Sequence, residues 1–249
     1  MLRMRQICLV ARDLEQVEGD LVAVLGLEVC HRSPELKGFG VQNVMLPMGN
    51  NFLEVVAPIV GGTAAGRHLD RRGGDGGYMV ITQCDDVDVA RDRVTGLGVR
   101  LVYDDGRGFQ LHPRDVPGAI VELRQDEGGE DPAGPWWPAG DDWIVHRRLN
   151  VTRAITAAEV QSDDPDALAA RWSEVLDRPV ETSPLGQLTI ALDNATLRFI
   201  EASDGRGVGL GGLDVEVVDA ASVLREAEVR GCLTDNHQVM ICGVRFLLV

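Results

Sequence analysis

The stretch DLEQVEGDLVAVLGLEVC, residues 13–30, opens on an aspartate, carries apolar residues at three-four spacing, and closes through a glycine into a further apolar run. The phrase recurs as DDVDVARDRVTGLGVRLV from Asp85, DDPDALAARWSEVLDRPV from Asp163 and DAASVLREAEVRGC from Asp219. A strand-like run precedes each copy: RQICLVARD, YMVITQCDD, AAEVQSDD and LDVEVVD. Aspartate suits a helix start because its carboxylate accepts a backbone N–H that has no partner inside the helix, and because the helix dipole favours negative charge there. Recurrence of this kind governs the fold, and each period is long enough for one helix among several strands. Leu14, Val17, Leu21, Val22 and Leu25 form the buried stripe of the first helix, and Gly26 suits its left-handed end.

Extending each copy to its flanking apolar runs gives four βαβββ units. The first is read as strand 5–11, helix 13–24 and strands near 27–32, 39–47 and 51–57. The second is strand 78–83, helix 86–96 and strands near 99–104, 107–112 and 119–124. Two shorter units follow at about 152–202 and 210–249. A single unit leaves sheet edges and an apolar face exposed, so units are expected to pair into domains. The reading is an α+β protein with a first domain at 1–125, a linker at 126–150 and a second domain at 151–249. The linker is rich in Gly, Pro and Asp, with Trp136 and Trp137 expected to staple it to a domain surface. A short helix is expected at 64–72 in the crossover between the first two units, where Arg67, His68, Arg71 and Arg72 make a basic cluster. That cluster is either a solvated face or a place for an anionic ligand tail. The run GRGVGLGG at 205–212 leads into a strand instead of a helix, so it lacks a helix N-terminus to hold phosphate and reads as a linker.

The 249 residues are 45% hydrophobic and 25% charged, as in globular proteins, with a formal net charge of −15. That charge opposes unaided binding to nucleic acid or an anionic membrane. No apolar run reaches the roughly 18 residues of a membrane helix, and no cleavable signal is expected at the start. The five cysteines include no CxxC pair, so a reduced, cytoplasmic protein without disulfides is expected.

The order of these units, with the segments LVARDLEQ, VLGLEV, FLEVVAP, CDDVDVA, GLGVRLV and HPRDVPGAIVEL, resembles the vicinal oxygen chelate superfamily of glyoxalase I, bleomycin-resistance proteins and extradiol dioxygenases. Over residues 4–124 it is most similar to the methylmalonyl-CoA epimerase branch. The resemblance implies two glyoxalase-like domains and a cleft in the first that holds a divalent ion on four residues. Two of these are histidines seven residues before the helix-opening aspartates; the other two are last-strand glutamates. Here the counts land on Gln6 and Met79, while the glutamates are present as Glu54 and Glu122. A thioether does not partner an oxygen-rich divalent site, so the remaining set is Gln6, Glu54 and Glu122. Such a set holds Mg, Mn or Ca loosely at best, and no tightly bound cofactor is expected. In the second half the equivalent positions are Ala157, Gly212, Arg198 and Leu247, which bind no metal. Arg198 is open to gripping a ligand carboxylate or phosphate, to facing solvent, or to pairing with a neighbouring acid. His112, ahead of Pro113, either shapes its turn or faces a ligand. The expected function is binding of a small organic molecule in the cleft lined by Gln6, Glu54, Met79, Glu122 and His112, with a homodimer open. The alternative is an epimerase, isomerase or lyase in which Glu54 or Glu122 moves a proton.

Overall fold

The computed structural model describes residues 1–235 and 237–249. All four aspartates cap helices as expected. Asp13 accepts Gln16 N–H at 3.0 Å to start α1 (Leu14–Leu25), and Asp86 accepts Val89 N–H at 2.9 Å to start α3 (Val87–Gly96), after α2 (Ala64–Arg72) in the crossover. Asp164 does the same for α4 (Pro165–Leu176) at 3.0 Å, and Asp219 for α5 (Ala220–Arg230) at 2.9 Å. Gly26 ends α1 with φ of 66°, the left-handed conformation that disfavours any side chain.

The first sheet contains β1 (Leu2–Val10), β2 (Val41–Met48), β3 (Asn51–Pro58), β4 (Gly76–Cys84), β5 (Leu101–Asp104), β6 (Gly108–Leu111) and β7 (Ile120–Arg124), in the order β2-β3-β1-β4-β7-β6-β5. The second contains β8 (Thr152–Ser162), β9 (Val180–Thr182), β10 (Leu188–Ala191), β11 (Thr196–Glu201), β12 (Gly209–Val217), β13 (Leu233–Asp235), β14 (Gln238–Ile241) and β15 (Val244–Leu248), in the order β13-β14-β15-β12-β8-β11-β10-β9. In each sheet the leading strands of two units pair antiparallel at the centre, and each leading strand pairs in parallel with the last strand of its own unit. The α+β architecture of paired units is therefore present. One strand differs from expectation: residues 27–32 form only an isolated bridge between His31 and Met45, followed by a 3₁₀ turn at Pro34–Phe39. Proline fixes its own φ and removes a donor, which favours the turn over a continuing strand.

One apolar core runs between the halves, joining Ile7, Leu9, Leu53 and Val80 of the first sheet to Ile155, Leu213 and Phe246 of the second. Close approach at Gly77 helps. A Cβ there would lie 2.5 Å from the Leu210 carbonyl oxygen, so only glycine lets β4 and β12 meet this closely. A second apolar cluster covers the opposite face of the first sheet, where residues 126–150 lie. Among the described residues, no helix is long and apolar enough to cross a membrane.

Candidate functional site

Strand register assembles the first site. Phe52, Gln6, Ile81 and Glu122 lie side by side across β3, β1, β4 and β7, and Glu54, Cys8, Met79 and Ile120 form the neighbouring row. Side chains two apart share a face, so Gln6, Glu54, Met79 and Glu122 converge on the face away from α1. His112 and Arg198 do not join them.

This face is filled by the protein itself. Trp136 and Trp143, from the segment after β7, pack with Phe52, Met45, Cys8, Met79 and Ile81. Trp136 stacks near Phe52 at 6.3 Å, and Trp143 meets it edge-on at 4.9 Å. A register shift between Met4 and Gln6 marks a bulge that brings Arg5 to the same place. The Arg5 guanidinium lies 5.1 Å from the Phe52 ring centre and 5.6 Å from those of both tryptophans. It donates to the Asn50 and Gly134 carbonyls at 2.6 and 2.8 Å, and burial brings its pKa down to about 10.

Trp136 Nε1–H donates to Gln6 Oε1 at 2.7 Å, and Gln6 Nε2–H donates to Glu54 Oε2 at 2.8 Å. Asn43 Nδ2–H supplies the other carboxylate oxygen, Oε1, at 2.7 Å. Burial raises the Glu54 pKa, opposed by hydrogen bonds from Asn43, Cys8 and Gln6. Glu122 accepts Gln110 Nε2–H at 2.8 Å, with Arg124 Nε 3.4 Å from its other oxygen. Burial pushes its pKa up to about 7 despite Arg124 and Gln110, which pull it down. The first two units thus share a device: a carboxamide on the penultimate strand, Asn43 or Gln110, serves the last-strand glutamate.

The Gln6, Glu54 and Glu122 set does not fit a divalent ion. The only oxygen Gln6 could offer receives an indole N–H, both Glu54 oxygens receive amide N–H groups, and Trp136 packs on the same face of the sheet. No cluster of three or more His, Cys, Asp or Glu suited to a metal occurs among the described residues.

Arg198 sits on the second sheet, held by both Asp214 oxygens, with Nη2 3.3 Å from Glu159. Glu159 is also bound by Arg245 at 2.8 Å. Arg198 is therefore committed to acids of its own sheet. Those acids lie two residues beyond Ala157 and Gly212, where a count of seven does not land.

His112 lies elsewhere, in a pocket of about 960 Å³ between α2, the 112–120 loop and residues 206–208 of the second half. Its Nδ1 accepts Arg114 N–H at 3.1 Å, and its carbonyl accepts the N–H groups of Asp115 and Val116. The residue shapes the turn while also lining the pocket. Tyr78, Val102 and Ile120 give that pocket an apolar wall. His68 packs edge-on to Tyr78 at 5.0 Å and donates Nε2–H to the Gly77 carbonyl at 3.1 Å. Burial, with Arg71 nearby, lowers its pKa to about 4, so it is neutral at pH 7. The α2 cluster was legible in the sequence. Trp136 staples the linker to the first sheet as expected, whereas Trp137 is 56% exposed; Asn43, Gln110 and Arg206 were not singled out.

A family profile for the glyoxalase-like domain matches residues 7–176. Ethylmalonyl-CoA/methylmalonyl-CoA epimerase from Cereibacter sphaeroides is 26% identical over 134 residues, covering 49% of this chain and 97% of that protein. A mutant of 4-hydroxymandelate synthase from Streptomyces coelicolor superposes with a TM-score of 0.67 at 18% identity, covering 92% of this chain and 75% of that one. A hypothetical protein from Staphylococcus aureus gives 0.69 at 11% identity, covering 100% and 99%. These two structures share the fold over nearly the whole chain, while the epimerase likeness covers about half of it. The chain belongs to the glyoxalase-like domain family of the vicinal oxygen chelate superfamily, its first half near the epimerase branch.

Proposed function

We propose that this protein binds a small organic molecule at the α2 end of its first-half cleft, without a tightly bound transition metal. The observation that carries the reading is the closed network of Trp136, Gln6, Glu54 and Asn43 beside an open pocket of about 960 Å³. A concave, largely apolar space of that size with a few polar groups suits a small ligand. The five cysteines, none in a disulfide, support a reducing, cytoplasmic setting. The test is a thermal-shift screen of small aromatic and aliphatic compounds against the wild type and Val102→Trp. Val102 is half exposed, so the larger side chain fills pocket space with little burden on the fold. Binding compounds stabilise the wild type through mass action and lose their effect in the variant. Equal stabilisation of both proteins removes the pocket from the reading.

A second reading, proton transfer in an epimerase or isomerase, is favoured by Glu122, whose pKa of about 7 suits a general base near neutrality. The likeness to ethylmalonyl-CoA/methylmalonyl-CoA epimerase points the same way. Incubating the protein with methylmalonyl-CoA in deuterated water decides it. Deuterium entering the C2 position with wild type and not with Glu122→Gln supports catalysis; no incorporation by the wild type supports binding alone.

A further inference from the structure

In a chain of formal net charge −15, the pocket walls carry Arg67, Arg71, Arg72, Arg114 and Arg206. None of the five forms an ion pair with a carboxylate among the described residues. Asp204 bears on Arg72 electrostatically, yet its carboxylate receives the Gln161 side-chain amide and Arg206 N–H.

Arg72 is the unusual member. It is only 8% exposed, and its Nη1 donates to the carbonyls of Arg206, Gly207 and Val208 at 2.9, 3.2 and 2.9 Å. Its Nε and Nη2 are buried and have no hydrogen-bond partner among the described residues. Those two N–H groups lie on one edge of the guanidinium, the edge that receives two oxygens of a phosphate or carboxylate together. A buried donor left unpaired is costly, and a bound oxyanion removes that cost. The backbone makes room for this side chain: a Cβ at Gly209 would lie 2.5 Å from Arg72 Nη1 and 2.6 Å from its Cζ. Arg206 in turn is fixed by donating Nη1–H to the Gly243 carbonyl at 2.9 Å and Nε–H to the Arg72 carbonyl at 3.2 Å.

Resting on the reading that this pocket binds a small organic molecule, we propose that its ligand is an organic phosphate, the free edge of Arg72 taking two phosphate oxygens. Several unneutralised arginines suit a dianionic group better than a single carboxylate. The apolar body of the ligand lies against Tyr78, Val102 and Ile120, and residues 206–208 of the second half complete the phosphate corner.

The test titrates the full chain with phenyl phosphate, inorganic phosphate and benzyl alcohol, followed by calorimetry or backbone amide shifts. Phenyl phosphate is expected to bind at least about tenfold more tightly than either fragment and to weaken as sodium chloride rises. Arg72→Lys keeps the charge but loses the two-toothed edge, and is expected to weaken phenyl phosphate by about tenfold. The double variant Arg71→Gln, Arg114→Gln changes exposed residues only, and a several-fold loss is expected from it even if Arg72→Lys folds poorly. Benzyl alcohol binding as tightly as phenyl phosphate, and displaced by Val102→Trp, overturns the phosphate proposal while the pocket reading stands. Inorganic phosphate matching phenyl phosphate overturns the organic ligand class. Failure of all three probes, together with failure of the wider compound screen, overturns both.

Discussion

Replacing Glu122 with glutamine should make the protein more stable above neutral pH, although the wild-type side chain is buried and hydrogen bonded. The folded protein holds this carboxyl at about 7, against 4.5 for an ordinary glutamate, because burial disfavours the charged form more than Arg124 and Gln110 favour it. Since the folded pKa is raised, folding favours the protonated form. That contribution is complete below about pH 4.5 and is lost as pH rises through about 7. Moving the carboxyl between these values is worth about 3 kcal/mol, so ionised Glu122 costs the fold about that much at pH 8.5. Glutamine keeps the shape, never ionises, and can still meet Gln110; the attraction of Arg124, 3.4 Å away, is already contained in the value of about 7. Arg124 also keeps its salt bridge to Asp105 at 2.8 Å. Urea unfolding of both proteins at pH 4.5 and pH 8.5 measures the effect. Glu54, also raised, is present in both proteins, and its charge is a minor contributor to the Glu122 shift. The variant should gain on the wild type by about 1–3 kcal/mol between the two pH values. A stability difference that does not change with pH would refute the assignment of Glu122 as a desolvated carboxyl.

Trp136→Ala should destabilise by about 3–5 kcal/mol, because it empties a buried site and strips the donor from Gln6 Oε1; chemical unfolding at constant pH checks it. Arg198→Met should cost about 3 kcal/mol in the same assay, since Asp214 loses both of its guanidinium contacts in a largely buried position; a neutral result would mean that the pair is solvated.

What the sequence made legible was local or repeated. An aspartate cap depends on a backbone N–H three residues away, so four such aspartates marked four helices. Counting within the first two repeats placed Gln6, Glu54, Met79 and Glu122 on adjoining strands because register preserves such counts. The strand at 27–32 failed where Pro34 opens a turn instead. The contacts that decide the site are long-range: Trp136 meets Gln6 across 130 residues, and Arg72 meets the 206–208 carbonyls across 134 to 136. Residues 205–212 read as a linker by composition, yet they start β12 and carry Arg206 into the basic pocket. Pairing of Arg198 with a neighbouring acid was one of the readings open from the sequence, but the acids themselves, Glu159 and Asp214, emerge only from strand pairing.

The most direct test of the division between a closed glutamate corner and an open ligand pocket is one amide and indole NMR titration series. The indole N–H of Trp136 reports the Gln6–Glu54 corner, and the backbone amides of Arg71 and Ile120 report the pocket. Manganese added to chelator-treated protein should leave the Trp136 indole signal sharp, and phenyl phosphate should shift the Arg71 and Ile120 amides while the indole stays in place. Stoichiometric broadening of the Trp136 indole by manganese, abolished by Glu54→Gln, would contradict the division and restore a metal centre on Gln6, Glu54 and Glu122.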